Sequence, residues 1–305
     1  RPRKIIPIGV FDHVQSQLRE DIYAMTELQH VIRVEPSAFT IGDGRVEVHQ
    51  LCAWTDNFIW VMYDSKQRAA VIVDGPCAAP FADWLKSHPC EKVSIWNTHH
   101  HGDHIGINKE LRDGILELPV DVYGYSGRKD DIPGLSHTLN DGDEIGFGGE
   151  TFKVWQTDGH VDGHLCFVHD EVLFCGDTLF AGGCGYLFDG PPAAMHDSLT
   201  RLNQLADNVK VCCAHEYTLD NLTFAAFLEP ENPQVQARLS EAENLKSRGE
   251  TTLPSTMYLE RQTNPFLRTA HERLRLAVLA LVDDEVQAGL ELFTLVRKLK
   301  DQKIH

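Results

Sequence analysis

The sequence predicts an α+β fold, a layered domain of short strands followed by a small all-α domain. Three observations carry this. Between residues 45 and 213, runs rich in β-branched and aromatic residues recur with turn signals between them. After residue 217 the apolar spacing changes to the threes and fours of helices. Strands first and helices last is the order of a layered domain with a helical appendage. Residues 1–40 then form an N-terminal extension, 41–217 the layered domain and 218–305 the helical one.

Taken in order, Phe11, Val14, Leu18, Ile22 and Met25 predict an amphipathic helix within Phe11–His30 that serves packing or oligomerisation. Arg45–Leu51, Phe58–Tyr63 and Ala69–Val73 predict strands, with a turn at Asp64-Ser65-Lys66. A short helix over Pro80–Ser87 precedes a strand over Val93–Asn97, and Asp103–Leu111 starts a further helix. More strands are predicted near Asp121–Tyr123, Thr151–Gln156, Leu165–Val168, Val172–Cys175 and Val209–Cys213, with a helix over Ser198–Ala206. The glycine-rich stretches Asn140–Gly149 and Gly182–Gly185 predict loops. In the tail, Asn232-Pro233 supplies a cap and a first-turn proline. The stripe Val235, Leu239, Ala242, Leu245 follows, and Gly249 is placed to stop the helix. Thr269–Val282 and Asp284–Leu299 predict the remaining helices.

Composition removes several function classes. Lys and Arg number 28 against 45 Asp and Glu, a net charge of −17, and nucleic-acid binding needs a basic face. No apolar run reaches membrane-spanning length, and no secretory h-region precedes the domain. Eight cysteines without a CxxC pair predict reduced thiols in a cytoplasmic protein, with a mitochondrial or other organellar form as the alternative. Oligomeric state is not encoded legibly; a monomer is slightly favoured.

Histidine points to the chemistry. Sixteen are present, and seven fall between His99 and His164. The densest motif is Thr98-His99-His100-His101-Gly102-Asp103-His104, just past a predicted strand. Alternate side chains of an extended segment face the same way, so His99 and His101 can share one cation. Asp103 and His104 open the next helix and can turn toward a second. Further donors follow other predicted strands: His160 (with His164 four residues on as a competitor), Asp177 and His215. Five histidines and two aspartates form a mixed N/O set suited to zinc, iron or manganese, and too poor in thiolate for a structural zinc site. Two adjacent divalent ions acidify a shared water and supply hydroxide near neutral pH.

These motifs resemble the metallo-β-lactamase fold, and within it glyoxalase II, the hydroxyacylglutathione hydrolases. The narrower resemblance lies in Thr98–His104, in Gly176-Asp177-Thr178-Leu179-Phe180 running into Gly183-Cys184-Gly185, in His215-Glu216-Tyr217-Thr218 and in Asn264-Pro265-Phe266-Leu267-Arg268. It spans roughly residues 45–301. It implies an αββα sandwich followed by the small C-terminal all-α domain, and two divalent ions per chain, zinc first with iron or manganese as alternatives. His99, His101 and His160 would hold one metal, and Asp103, His104 and His215 the other, with Asp177 bridging. Asp103 would also orient the attacking hydroxide. His164 and Asn221 would lie behind these, and the remaining histidines would have no part in the chemistry.

The implied substrate is a small-molecule glutathione thioester, S-D-lactoylglutathione, with Tyr217, Arg297 and Lys300 contacting glutathione. Three positions depart from the resemblance. Tyr186 replaces a usual Arg or Lys, Phe188 replaces a frequent Tyr, and Asp158 replaces a proline before the metal-binding histidine. One charge-assisted contact to glutathione, a bond of about 1.5–3 kcal/mol, is thereby missing. Three alternatives follow from the same residues: a mononuclear-iron persulfide dioxygenase, a hydrolase of another acyl-thiol, and a non-catalytic metal-binding relative.

Overall fold

The computed structural model describes residues 29–115, 118–282 and 285–302. The amphipathic pattern from Phe11 to Met25 lies outside them. Two sheets pack face to face. The first runs β1 (Phe39–Ile41), β2 (Val46–Ala53), β3 (Asn57–Asp64), β4 (Ala69–Val73), β5 (Lys92–Trp96), β6 (Val120–Tyr125) and β7 (His137–Leu139), in that spatial order. Its first four strands pair antiparallel and the rest parallel. The second sheet contains β8 (Glu144–Phe147), β9 (Glu150–Gln156), β10 (Leu165–Val168), β11 (Val172–Gly176), β14 (Lys210–Cys213) and β15 (Ser255–Thr256). A separate hairpin, β12 (Leu179–Phe180) with β13 (Gly183–Cys184), projects after β11.

The period-2 rule explains the layering. On β3, Phe58, Trp60 and Met62 enter the core between the sheets, where they join Trp96, Phe152, Phe167 and Phe174. Ile59, Val61 and Tyr63 point the other way, under α1 (Ala79–Trp84) and α2 (Gly102–Glu110), with Phe81, Trp84 and Ile107. A strand buried on both faces reads as a near-continuous apolar run, and all eight residues of β3 are buried, with Phe58–Tyr63 between the polar ends Asn57 and Asp64. On the far side, α3 (Pro192–Leu202) buries Met195, Leu199 and Leu202 in the apolar cluster that continues around the second sheet. The result is the αββα sandwich. Helices α4 (Thr218–Leu228), α5 (Pro233–Arg248), α6 (Met257–Thr263), α7 (Glu272–Leu279) and α8 (Leu290–Asp301) complete the tail.

Several boundaries differ from the sequence expectation. The stretch Asn140–Gly149 is not all loop: β8 lies inside it, and Gly148 and Gly149 turn the β8–β9 hairpin with φ of 60° and 86°. Gly182–Gly185 likewise contains β13. The helix expected over Ser198–Ala206 starts earlier, because Pro192 occupies its first turn. The last helix begins at Leu290, and α7 covers only the middle of Thr269–Val282. Residues past 217 also return to the sandwich, since β15 pairs with β14. Before residue 41, Val31 N–H donates to the Thr55 carbonyl at 2.8 Å and Arg33 N–H to that of Gly249 at 2.7 Å.

Candidate metal centre

The donors gather at one edge of the sandwich because each follows a strand. Thr98–His104 follows β5, His160 follows β9, Asp177 follows β11 and His215 follows β14. Two groups form. His99 Nε2 lies 3.0 Å from His101 Nδ1, and His160 Nε2 lies 3.1 Å from the same atom. Nearby, Asp103 Oδ2 is 3.5 Å from His104 Nε2 and 3.3 Å from His215 Nε2. Asp177 spans the two: Oδ2 is 3.5 Å from His160 Nε2, while Oδ1 is 3.5 Å from both His104 and His215 Nε2. Tetrahedral zinc with arms of about 2.0–2.1 Å holds its donors about 3.3 Å apart, so the spacing fits.

Partners behind the rings fix which nitrogen carries the proton. His104 Nδ1 donates to Asp74 at 2.9 Å and His215 Nδ1 to Asp56 at 2.8 Å. His160 Nδ1 donates to the Tyr186 carbonyl at 2.8 Å. Thr98 Oγ1 uses its proton on Asp74 at 2.7 Å, so it accepts from His99 Nδ1 at 3.0 Å. In the neutral rings of His99, His104, His160 and His215, the Nε2 lone pair therefore faces inward. His104 Nε2 and Asp177 Oδ1 are fully buried with no hydrogen-bond partner among the described residues. Orphaned buried polar atoms of this kind are costly, and a cation between them would satisfy both. The residues fit a divalent metal.

Charge reinforces the fit. Burial pulls His104 down, but the carboxylates of Asp177 and Asp74 outweigh it and hold the ring well above its ordinary value. His215 is raised to about 9 against the same burial, chiefly by Asp177, Asp103 and Asp56. Burial would raise Asp103 and Asp177. For Asp103 the His215 hydrogen bond and the His104 charge reverse this, and for Asp177 the charges of His104 and His215 do so; both stay ionised. His99 is pushed well below its usual value by burial and by the neighbouring imidazoles.

The other expected residues take distinct places. His164 is buried, but its Nε2 accepts from the Asp177 N–H at 3.1 Å, while Nδ1 faces Thr157 and Thr178 hydroxyls. That lone pair is spent on holding Asp177. Asn221 donates to the Ala181 carbonyl at 3.1 Å. Tyr217 stacks on His215, ring centroids 4.7 Å apart, and is 37% exposed at the mouth. Phe188, 61% exposed, sets its edge against His101 and His160 at 5.2 and 5.3 Å, and Tyr186, 52% exposed, packs on Phe188. Asp158 accepts from Gly163 N–H at 2.7 Å and ties its own loop. Arg297 is buried and donates to Asp301 and to the Cys184 carbonyl, while Lys300 pairs with Asp220 at 2.6 Å. Reaching a substrate carboxylate from these positions requires exchanging Asp301 and Asp220 for it.

Sequence reasoning passed over Asp56, Asn57 and Asp74. Asn57 donates to Asp103 Oδ2 at 3.1 Å, and Asp74 accepts from Thr98 N–H, the Thr98 hydroxyl and His104. The available signal was an acidic residue closing the apolar run of β4, the same grammar that marks Asp177 after β11.

Comparison with known proteins agrees with this architecture. The metallo-β-lactamase superfamily model matches residues 57–215, and the model for the hydroxyacylglutathione hydrolase C-terminus matches 216–303. Among solved structures, the ETHE1 protein of Myxococcus xanthus superposes with a TM-score of 0.55 at 21% identity, covering 85% of this chain and 99% of that one. The BLEG-1 B3 metallo-β-lactamase gives 0.53 at 22% identity, covering 72% and 99%. Fold and donor set thus define a metalloprotein of the metallo-β-lactamase superfamily. The Pseudomonas fluorescens (strain SBW25) hydroxyacylglutathione hydrolase is 41% identical over 258 residues, covering 84% of this chain and 99% of the relative. That of Gloeobacter violaceus is 45% identical over 259 residues with the same coverage. The chain belongs to the hydroxyacylglutathione hydrolase family. The persulfide dioxygenase alternative is not favoured, since the hydrolase C-terminus is matched throughout the helical tail.

Proposed function

We propose that the protein hydrolyses S-D-lactoylglutathione to D-lactate and glutathione, with two divalent ions in the donor set, zinc first and iron or manganese as alternatives. The observation that carries this reading is the pair of donor groups sharing Asp177 across its two oxygens. When bound, two such ions acidify water and polarise an acyl carbonyl.

The chain supplies the rest. Asp103 remains an anion, held by Asn57 and His215, so its role is to orient the attacking water and not to carry away its proton. Addition of the water oxygen to the thioester carbon, with the proton of the acidified water released to solvent, is followed by cleavage of the C–S bond. A thiol of pKa about 8.5 leaves readily as thiolate, without a strong acid beside it. Tyr217 lies over the His215 side to receive glutathione, with Arg297 and Lys300 of α8 for its carboxylates. Phe188 and Tyr186 form an aromatic wall over the His101 and His160 side.

Steady-state kinetics on S-D-lactoylglutathione beside other acyl-thiols, with metal counted on the same sample, tests the reading; metal-loaded protein inert toward lactoylglutathione contradicts it. Tyr186→Arg adds a cation at the mouth and is expected to lower KM about tenfold, the lower end of a charge-assisted bond. An unchanged KM removes Tyr186 from the glutathione contacts.

A further inference from the structure

The β12–β13 hairpin begins two residues after Asp177 and ends two before Tyr186, whose carbonyl orients His160. Both ends of this short loop are therefore anchored at the metal centre. Its own ladder is only two residue pairs, Leu179 with Cys184 and Phe180 with Gly183. A two-pair ladder does not hold a loop by itself. What holds it comes from the helical tail. Asn264 Nδ2 donates to the Phe180 carbonyl at 3.1 Å and to that of Gly183 at 2.9 Å. Asn221 of α4 donates to the Ala181 carbonyl, Glu260 of α6 accepts from Gly182 N–H at 2.8 Å, and Arg297 of α8 donates to the Cys184 carbonyl at 3.2 Å.

Five consecutive residues are thus gripped through their backbone by four buried side chains from three helices and the turn after α6. The grip is itself braced. Glu260 Oε2 also accepts from Asn264, and Oε1 is paired with Arg238 at 2.6 Å and with the Ser255 hydroxyl. The Asn264 oxygen accepts from Phe266 N–H, which sets the amide with its donors toward the hairpin. A Cβ on Gly183 would lie 2.6 Å from the Asn221 amide, so close approach demands glycine there.

We propose that Asn221, Glu260, Asn264 and Arg297 are positioning residues of the metal centre: the helical tail, by clamping the Leu179–Cys184 hairpin, places Asp177 and the Tyr186 carbonyl and so sets metal affinity. On this reading Arg297 acts on the centre through the backbone, whatever it does toward substrate. The inference rests on metal binding alone and not on thioester hydrolysis.

The test measures zinc affinity by competition with a chromogenic chelator, using the full chain carrying Asn264→Ala beside Val278→Ala. Val278 is buried on α7 and has no polar atom with which to hold the hairpin. Both variants are expected to lower Tm. Asn264→Ala is expected to bind zinc about tenfold more weakly, the size of effect seen when support behind metal ligands is removed, and Val278→Ala to bind as the parent does. Parent-like affinity in Asn264→Ala overturns the proposal, and so does an equal loss in both variants, which would make stability the cause. Should Asn264→Ala fail to fold, Asn221→Ala, which frees only the Ala181 carbonyl, replaces it with the same two outcomes.

Discussion

Four imidazoles turn Nε2 toward the same small volume because a partner behind each engages Nδ1. The most heavily used of these supports is Asp74, which serves His104 directly and His99 through the Thr98 hydroxyl. Asp74→Asn keeps the shape and removes the charge. It is expected to cost about 10–100-fold in metal affinity or activity, read by chelator competition, and unchanged affinity would show that the ring orientation does not depend on it. The same site predicts a pH dependence. His215 is raised from 6.5 to about 9 in the metal-free form, so its proton stabilises the fold fully below the unfolded value. That contribution is lost as pH climbs through 9. Metal must displace the same proton, so apparent affinity rises with pH up to that point. Thermal melts and metal titrations from pH 8 to 10, above the range where His99, His160 and His164, whose values burial lowers, exchange their protons, check both signs; a metal-free protein that gains stability over this range contradicts the assignment. The candidate donors were legible because four lie within Thr98–His104 and the other three each follow a predicted strand. Asp56 and Asp74 were not, since a lone acid after a strand looks like any turn residue until its partner is seen.

At the scale of elements, the best-anticipated piece is α5. Asn232 accepts from Gln234 N–H at 3.1 Å, Pro233 opens the helix, and Gly249 ends it with φ of 72°. Asn232→Ala is expected to lower stability by about 0.5–2 kcal/mol without touching metal content. Arg238 on the same helix was not anticipated as buried, because its partners Glu260, Ser255 and Thr263 are brought to it only by the tertiary fold. Glycine-rich stretches misled for a related reason: β8 and β13 are short strands, and the glycines after β8 and around β13 serve a turn and close contacts. Gly185 is the sharpest case. A Cβ there would lie 2.0 Å from the Asp177 carbonyl oxygen and 2.9 Å from His160 Nδ1. Gly185→Ala is therefore expected to displace one or both donors and to reduce bound metal in a chain that still folds. Full metal content in that variant would show that the loop relaxes freely.

Over the whole molecule, the order of strands and helices made the layered architecture legible, while the return of β15 to the second sheet was not, being two residues long. All eight cysteines are free. Burial pushes Cys166 and Cys213 up to about 12 and Cys77, Cys90 and Cys184 to about 11. Thiolate is therefore scarce at pH 8, and an aromatic disulfide reagent is expected to react slowly with the native chain and with eight thiols after denaturation; rapid labelling of several native thiols contradicts it. The net charge of −17 makes holding an anionic thioester a matter of local cations. Around this mouth, Arg297 and Lys300 are already paired within the protein, which gives the donor set the central part. The most direct measurement compares metal-loaded and chelator-stripped protein on S-D-lactoylglutathione, with metal counted in each. Two ions per chain, hydrolysis abolished by stripping and restored by zinc, iron or manganese, are expected. Undiminished hydrolysis by the stripped chain, or none by a chain holding two ions, would contradict the account.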